Sequence, residues 1–269
     1  MLIAFLNQTY SNIELILIDD GSTDNSPKIC EEYRQKYDQV RVLHKKNGGV
    51  GSSRNAGVAM ASGDYVLFVD NDDWLPETHI EDLYNLLKKN NADIAVGNFN
   101  EFDEEKSAFL YWMNENDYFE KCYSPKDWFK LEYRTAYYNM SMVFVVPWGK
   151  LYKRDLFKDI VYPIDAKVED NLTTWKIYLL ADKIVYMNKS IYTHRILNAS
   201  VTAQVDKSSV FPSEAVEQRI SLVKSIGFDT TEEEKACEKR STLLQFDDDY
   251  LKSREAKQKL AILKKYREE

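Results

Sequence analysis

The sequence has few cysteines and no long apolar run, and both shortages restrict what kind of protein it encodes. Its three cysteines, Cys30, Cys122 and Cys237, are odd in number and widely spaced, so they indicate neither a zinc motif nor a disulfide framework. A reducing, cytoplasmic environment is therefore expected. No apolar run approaches the ~20 residues of a membrane helix, and the first ten residues lack signal-peptide features. We expect no transmembrane segment. A peripheral position at the inner face of the membrane is the alternative to a purely cytoplasmic one.

Basic residues are also fewer than acidic ones. The chain of 269 residues has 36 Lys and Arg against 44 Asp and Glu, a net charge of -8. Because general nucleic-acid binding depends on basic charge, nucleic acid is not expected as a partner. A phosphorylated ligand is not excluded, since metal ions and backbone amides can hold phosphate locally.

Short apolar segments alternate with helical ones in the first half of the chain. The pattern predicts strands at residues 14–18, 40–43, 65–69 and 92–96, and helices at 26–37, 52–61 and 77–89. Such alternation implies parallel pairing, and hence an α/β fold with a mostly parallel sheet flanked by helices. In open sheets of this kind ligands bind beyond the carboxyl ends of the strands. Acidic clusters at residues 19–20 and 70–73 stand at two such ends.

The second half is less regular. It predicts a helix at residues 168–180, short strands at 183–187 and 191–196, and helical structure from about residue 211 to the end. We therefore expect one domain over residues 1–210 and a helical C-terminal tail over residues 211–269.

The triplet Asp70-Asn71-Asp72 follows a predicted strand directly. Two carboxylates on a tight turn can approach one hard cation such as Mg²⁺ or Mn²⁺, which also takes phosphate oxygens as ligands. The alternative is a solvated acidic turn that caps the next helix, a role that would suit Asp73. The position after a buried strand favours a metal site.

Two further motifs in the first half have structural alternatives. Asp19-Asp20-Gly21-Ser22 is as typical of a helix-capping turn as of carboxylates that bind a nucleobase or ribose. Gly49-Val50-Gly51 resembles the start of a dinucleotide fingerprint. Arg54, however, occupies the third glycine position, which disfavours a nicotinamide dehydrogenase. Arg54 itself would pair either with phosphate or with a surface carboxylate.

Two pairs of residues in the second half are also ambiguous on their own. Glu169 and Asp170 begin a predicted helix, where acidic residues act either as partners of the helix dipole or, more specifically, as a general base. His194 and Arg195 follow a short strand, and only the other motifs make them candidates.

Taken together, these motifs resemble family 2 glycosyltransferases of the GT-A fold. The matching segments are residues 7–10, 17–24, 47–50, 53–57 and 63–74, with later landmarks at 150–152, 169–170 and 195–200. Five ordered motifs are much more specific than any one alone. The resemblance is dense from residue 7 to about 96 and is lost in the tail. It is closest in style to bacterial enzymes that build capsules, cell-wall polymers or adhesin glycans.

The resemblance implies an inverting enzyme. It would move a hexose from a UDP-sugar donor to an acceptor hydroxyl on a glycan, a glycoprotein or a lipid-linked saccharide, with Mn²⁺ or Mg²⁺ as cofactor. Residues 1–100 would form the nucleotide-binding half of the catalytic domain and residues 101–210 the acceptor half. Asp170 would be the base, with Glu169 assisting.

The resemblance also implies which residues bind the donor. Asp19 and Asp20 would contact the uracil, and Arg54 would lie near the nucleotide. Asp70 would contact the ribose or the metal, and Asp72 the metal itself.

The remaining implied site residues lie in the second half. Arg195 and Ser200 would fall on a flexible segment that closes over the pyrophosphate, and His194, which would reach the same place, is a further candidate metal ligand. Trp148 would form a wall of the acceptor site, because aromatic faces pack against sugar rings.

The chain departs from the family pattern at its beginning. Family members usually start with an apolar strand in the middle of the sheet, whereas this sequence starts within the helix that follows it. We expect an open edge beside the strand at residues 14–18, and hence a homo-oligomer. The alternative function is that of a truncated, inactive glycosyltransferase-like assembly or binding protein.

Overall fold

The structure is a computed structural model that describes residues 2–132, 140–164, 166, 168–197 and 213–244. The chain divides into two compact units, Met1–Gln204 and Val205–Glu269. The predicted α/β class is confirmed, because the first unit contains β-sheet flanked by helices. The predicted boundary at residue 210 lies outside the described residues, and the functional division of the chain stays a prediction.

Most helices occur close to where the sequence predicts them. In the first unit they are α1 Leu2–Leu6, α2 Ser26–Lys36, α3 Gly49–Met60, α4 His79–Asn90, α5 Pro125–Phe129, α6 Met140–Val145 and α7 Glu169–Leu180. The second unit contains α8 Ser213–Ser225 and α9 Thr231–Leu244 within its described part. Pro27 occupies the first turn of α2, where its missing N–H costs no helical hydrogen bond.

The strands differ more from the prediction. They are β1 Leu15–Asp19, β2 Val40–His44, β3 Tyr65–Val66, β4 Ile94–Asp103, β5 Ala108–Tyr111, β6 Glu120–Tyr123, β7 Lys150–Lys153 and β8 Ile184–Ile196. The third predicted strand is shorter than expected. The two short strands expected at residues 183–187 and 191–196 are parts of the single strand β8.

The sheet pairing is mixed rather than mostly parallel. β1 and β2 form a parallel two-stranded sheet, and within the described residues β1 is hydrogen-bonded to no other strand. The second sheet has the order β3-β7-β4-β8-β6, with β5 also paired to β4. Only the β4–β8 pair is parallel there, because β5, β6 and β7 all run against their neighbours. These three strands come from the part of the chain that the strand–helix alternation does not cover.

The antiparallel insertion of β7 decides which loops meet. Since both β3 and β4 run against β7, they point the same way, and β8 is parallel to β4. The carboxyl ends of β3, β4 and β8 therefore lie at one edge of the sheet. Bridges from Phe68 to Trp148 and from Trp74 to Thr193 attach the loop after β3 to this edge.

The core fixes α4 against the second sheet. Leu83, Leu86 and Leu87 of α4 are buried against β4, β7 and β8, and their helical spacing places them on one face. Burying each such leucine contributes about 1.5–3 kcal/mol. A second cluster, which includes Phe5, packs α1 onto β1 and β2.

Candidate active site

Arg54 lies at the centre of the candidate site. Its side chain, only 10% exposed, points from α3 towards two carboxylates. Nη2 lies 3.5 Å from Asp70 Oδ1, and Nη1 forms an ion pair with Glu169 Oε1. The guanidinium also lies 5.5 Å from the ring centre of Tyr162. Arg54 thus joins the loop after β3 to the first turn of α7, whose Glu169 is 115 residues away from Arg54 in the sequence.

Close packing of α3 makes this bridge possible. Asn55 donates from Nδ2 to the Tyr162 carbonyl and accepts from the Tyr162 amide, both at 2.8 Å. A Cβ on Gly51 would lie 2.1 Å from the Pro163 carbonyl oxygen, so only glycine allows this approach. The segment that leads into α7 is held directly against α3.

The site contains more negative than positive charge. Burial raises the pKa of Asp70, Glu169 and Asp170 above their usual range, and the nearby Arg54 guanidinium opposes the rise. The Asp170 carboxylate is among the groups that raise the Asp70 pKa, because a second negative charge nearby disfavours ionisation of Asp70. One arginine among three carboxylates leaves a local excess that a cation or a proton can neutralise.

Lys150 is a further buried ionisable group that the sequence motifs did not single out. The residue is 1% exposed, and its ammonium donates to the carbonyls of Val146 and Trp148. Burial lowers its pKa well below the ordinary value, and the Asp170 carboxylate opposes this. The only signal in the sequence was the landmark at residues 150–152, which did not reveal that the side chain is buried beside the predicted base.

Asp73 fastens the acidic loop, residues 70–73 after β3, to β8. It is 2% exposed. Its Oδ2 accepts from the Tyr192 hydroxyl at 2.6 Å, and its Oδ1 accepts from the Arg195 amide at 2.8 Å. Burial raises its pKa to about 6. The expected capping role for Asp73 is wrong, because α4 begins only at His79 and Asp73 bonds instead to β8.

Asp70 and Asp72 remain the candidate metal ligands. The Asp70 side chain is recessed among other carboxylates yet 38% exposed, and Asp72 is half-buried. The described residues contain no group of three or more His, Cys, Asp or Glu side chains arranged to hold a metal ion. Two carboxylates suit Mg²⁺ or Mn²⁺ when a phosphorylated ligand supplies further oxygens. The donor set therefore fits a metal that binds together with a diphosphate.

His194 lies beside the acidic loop, and the Trp148 ring packs against the His194 ring. His194 Nδ1 is 3.8 Å from Glu101 Oε1. Burial lowers the His194 pKa, but the carboxylates of Glu101, Asp73 and Asp70 outweigh it and leave the pKa raised. The Trp148 ring stacks on those of Tyr192 and His194, with centroids 4.4 and 5.7 Å away.

The sequence predicts Trp148 as a wall of the acceptor site, but its ring is buried and is not open to a sugar. The residue is 4% exposed, because Tyr192, His194 and Phe99 all pack against its ring. In this conformation it supports the site from within the core.

Asp19 and Asp20 already have protein partners. Asp19 accepts from His44 Nδ1 at 2.7 Å and from the Ser22 amide at 3.0 Å. Asp20 forms an ion pair with Lys45 and accepts from the amides of Gly48 and Gly49. Asp20 thereby holds the first turn of α3. A contact with uracil would have to be made in addition to these bonds.

Arg195 is bonded to the acidic loop. Nη1 donates to the Asp72 carbonyl at 2.8 Å, Nη2 lies 3.0 Å from Glu104, and the guanidinium lies over Trp74. The predicted closing segment at residues 195–200 is described only to residue 197, and Ser200 lies outside the described residues.

Comparison with known proteins gives one family. Residues 2–161 match the family model described as Glycosyl transferase family 2. Glycosyltransferase GlyA of Streptococcus pneumoniae serotype 4 is 36% identical over 226 residues, which are 84% of this chain and 32% of GlyA. The chain thus spans about a third of the length of that relative.

Two solved structures share the fold. One is S. aureus TarS 1-349 in complex with UDP-GlcNAc, with a TM-score of 0.67 and 23% identity over 87% of this chain and 64% of that chain. The other is mannosyltransferase PcManGT from Pyrobaculum calidifontis in complex with GDP-Man and Mn²⁺, with a TM-score of 0.51 and 12% identity over 93% of this chain and 76% of that chain. At these identities the likeness shows the fold alone. In the part of the chain that the structure describes, no helix has the length and apolar character needed to span a membrane.

Proposed function

The chain belongs to glycosyltransferase family 2, and on that premise we propose that it transfers a hexose from a UDP-sugar to an acceptor hydroxyl. The acceptor would be a glycan, a glycoprotein or a lipid-linked saccharide. The observation that carries the proposal is the Arg54 bridge, which brings the acidic loop and the start of α7 together. The complex of TarS with UDP-GlcNAc supports a UDP-sugar as the donor.

Asp170 is the proposed base. It would take the proton of the acceptor hydroxyl as that oxygen attacks the anomeric carbon from the face opposite the diphosphate, so that the configuration inverts. The bond from the anomeric carbon to the UDP oxygen breaks, and its electron pair leaves with UDP. The raised pKa of Asp170 makes it a stronger proton acceptor, provided that Arg54 keeps it ionised. Glu169 would assist by holding Arg54 in place.

Asp72 and Asp70 are the proposed ligands of a divalent cation, Mn²⁺ or Mg²⁺, with His194 as an additional candidate. When bound, the ion would neutralise the charge that develops on the departing diphosphate. The complex of PcManGT with Mn²⁺ supports this cofactor. Arg195 and Ser200 are proposed to contact the pyrophosphate, and Asp19 and Asp20 the nucleobase.

Asp72→Asn tests the donor site. A donor at a hundred times its dissociation constant should stabilise the wild type by ~2.7 kcal/mol, so a thermal-shift panel of nucleotide sugars with and without Mn²⁺ identifies it. Calorimetry with UDP should then show weaker binding to Asp72→Asn in Mn²⁺, and similar binding of both proteins without it. Equal affinity of the two proteins in Mn²⁺ would contradict the metal role. Donor binding without any turnover would favour an inactive binding protein instead.

A further inference from the structure

A cavity of about 1140 Å³ opens beside α4, next to the candidate active site. Its wall begins at Trp74, one residue after Asp73, and includes Tyr192 and Thr193 of β8. The bridge between Trp74 and Thr193 attaches this wall to the edge where the acidic loop lies. The cavity therefore reaches Trp74, the residue that follows the loop with the proposed metal ligands, while Asp70 and Asp72 themselves do not line it.

A row of four aromatic rings borders the cavity. The centroids of Trp74 and Phe102 are 4.9 Å apart, those of Phe102 and Phe109 5.1 Å, and those of Phe109 and Trp112 4.7 Å. Trp74, Phe109 and Trp112 also line the cavity and are 42%, 43% and 61% exposed. Contiguous exposed apolar surfaces, unlike single exposed apolar residues, are typical of interaction sites and ligand-binding grooves.

The polar groups of the cavity balance in charge. Three lysines and three carboxylates line it, namely Lys88, Lys89, Lys189, Asp82, Glu115 and Glu120. Two of these lysines are already paired within the wall, Lys189 with Asp82 at 2.8 Å and Lys89 with Glu120 at 2.7 Å. A wall without net charge does not favour a polyanion or a polycation. It suits a neutral ligand with many hydroxyl groups.

The lining offers the two kinds of contact that a carbohydrate makes, namely packing against aromatic rings and hydrogen bonds to hydroxyl groups. Aromatic faces pack against the C–H faces of sugar rings, while an exposed side-chain amide such as that of Asn85 can exchange hydrogen bonds with hydroxyls. The volume exceeds the ~300–1,000 Å³ of ordinary ligand pockets, so it is on the scale of several linked sugars.

We propose that the cavity beside α4, with its aromatic row, binds the neutral saccharide chain of the acceptor. This inference rests on the proposed function, because a transferase must hold its acceptor near the donor site. The saccharide would run along the Trp112–Trp74 row towards the acidic loop, and its terminal hydroxyl would reach the donor. Most of the contact would be with sugars that do not react.

The test measures saccharide binding separately from donor binding. The probes are neutral tetrasaccharides of glucose, galactose and N-acetylglucosamine, in α and β linkage, titrated by saturation-transfer NMR and tryptophan fluorescence. At least one probe should bind, and Trp112→Ala and Phe109→Ala should each weaken it by about tenfold or more. Leu110→Ala is the matched control. Leu110 is 51% exposed on the same strand as Phe109 but does not line the cavity. The Leu110→Ala protein should therefore bind the saccharide with wild-type affinity.

Each other outcome has a distinct meaning. Failure of every probe to bind at millimolar concentration, or unchanged binding to both aromatic variants, overturns the inference. A dimer that dissociates in Trp112→Ala without any saccharide effect also overturns it and assigns the row to a contact between copies. Thermal shifts with UDP and Mn²⁺ are measured on the same proteins. If UDP and Mn²⁺ cause no thermal shift while saccharide binding stays intact and dependent on Trp112, only the proposed donor chemistry is refuted.

Discussion

At the scale of single residues, the ionisation of the carboxylates in the site depends on Arg54. Arg54 is the group that pairs with both Asp70 and Glu169. A buried carboxylate without such a partner tends to take up a proton rather than remain charged. The pKa values of Asp70, Glu169 and Asp170 are all raised, so the ionisation state of the site depends on this arginine.

The proposed base gives a first prediction. Asp170→Asn should lower kcat by ~10²–10⁴-fold and leave UDP affinity nearly unchanged, since the base acts on the acceptor and not on the nucleotide. Steady-state kinetics and calorimetry on the same preparation measure the two effects. Asp159→Asn, the same change at an exposed carboxylate, is the control and should behave as wild type. If Asp170→Asn kept most of its turnover, the base would lie elsewhere, with Glu169 the next candidate.

Lys150 gives a second prediction at this scale. Lys150→Met removes the donor of the hydrogen bonds to two backbone carbonyl groups and should destabilise the protein by ~1–3 kcal/mol. It also removes a positive charge that lowers the Asp170 pKa. That pKa should therefore rise, and because the base must be deprotonated, the acid limb of the pH–rate profile should move to higher pH.

The pH–rate profile separates two roles for Lys150. An unchanged acid limb in a folded Lys150→Met protein would mean that the amine is neutral and only structural. Lys150→Arg keeps the charge. If Lys150 acts through its charge, Lys150→Arg should keep the limb near its wild-type position.

At the scale of elements, the decisive contact is between α3 and the segment before α7. Gly51 permits it, since a Cβ there would meet the Pro163 carbonyl oxygen at 2.1 Å. The sequence pattern of neither helix predicts this contact. The contact sets where Arg54 meets Glu169.

Gly51→Ala should therefore separate the two elements. We expect a loss of ~1–3 kcal/mol in the free energy of unfolding, as for other overpacked sites, and a fall in kcat as Arg54 loses Glu169. Urea denaturation and kinetics measure these effects. Gly57→Ala on the same helix is the matched control, because its Cβ would meet only Ile18 Cγ1 at an ordinary 3.8 Å. That change should be neutral or stabilise α3 by about 0.5–1 kcal/mol. Equal effects of the two substitutions would refute the packing argument.

At the scale of the whole molecule, the edge of β1 that no strand of the described residues covers predicts association. Within the described residues β1 pairs only with β2, and its Leu15 and Leu17 belong to the core. Unpaired strand edges recruit other chains, so light scattering should show a species larger than the monomer at micromolar concentration. Ile16→Lys, which places a charge on this strand, should shift the equilibrium towards monomer. A folded monomer at every concentration would contradict the prediction.

The sequence by itself determined the local chemistry. Turn residues, apolar runs and the order of five motifs were enough for the α/β class, most helix positions and the family. Each turn, run or motif is encoded within a few neighbouring residues, and the order of the motifs can be read along the chain. The acidic loop after β3 and the acidic first turn of α7 were also found where the pattern put them.

Only the tertiary structure decided which of these groups meet. The direction of β7, the burial of Lys150 and Trp148, and the ties of Asp73 to Tyr192 and Arg195 all depend on residues distant in sequence. The same is true of the aromatic row from Trp74 to Trp112, whose members belong to three separate segments. Charge, desolvation and ring packing act through space over a few ångströms, and sequence periodicity does not record such distances.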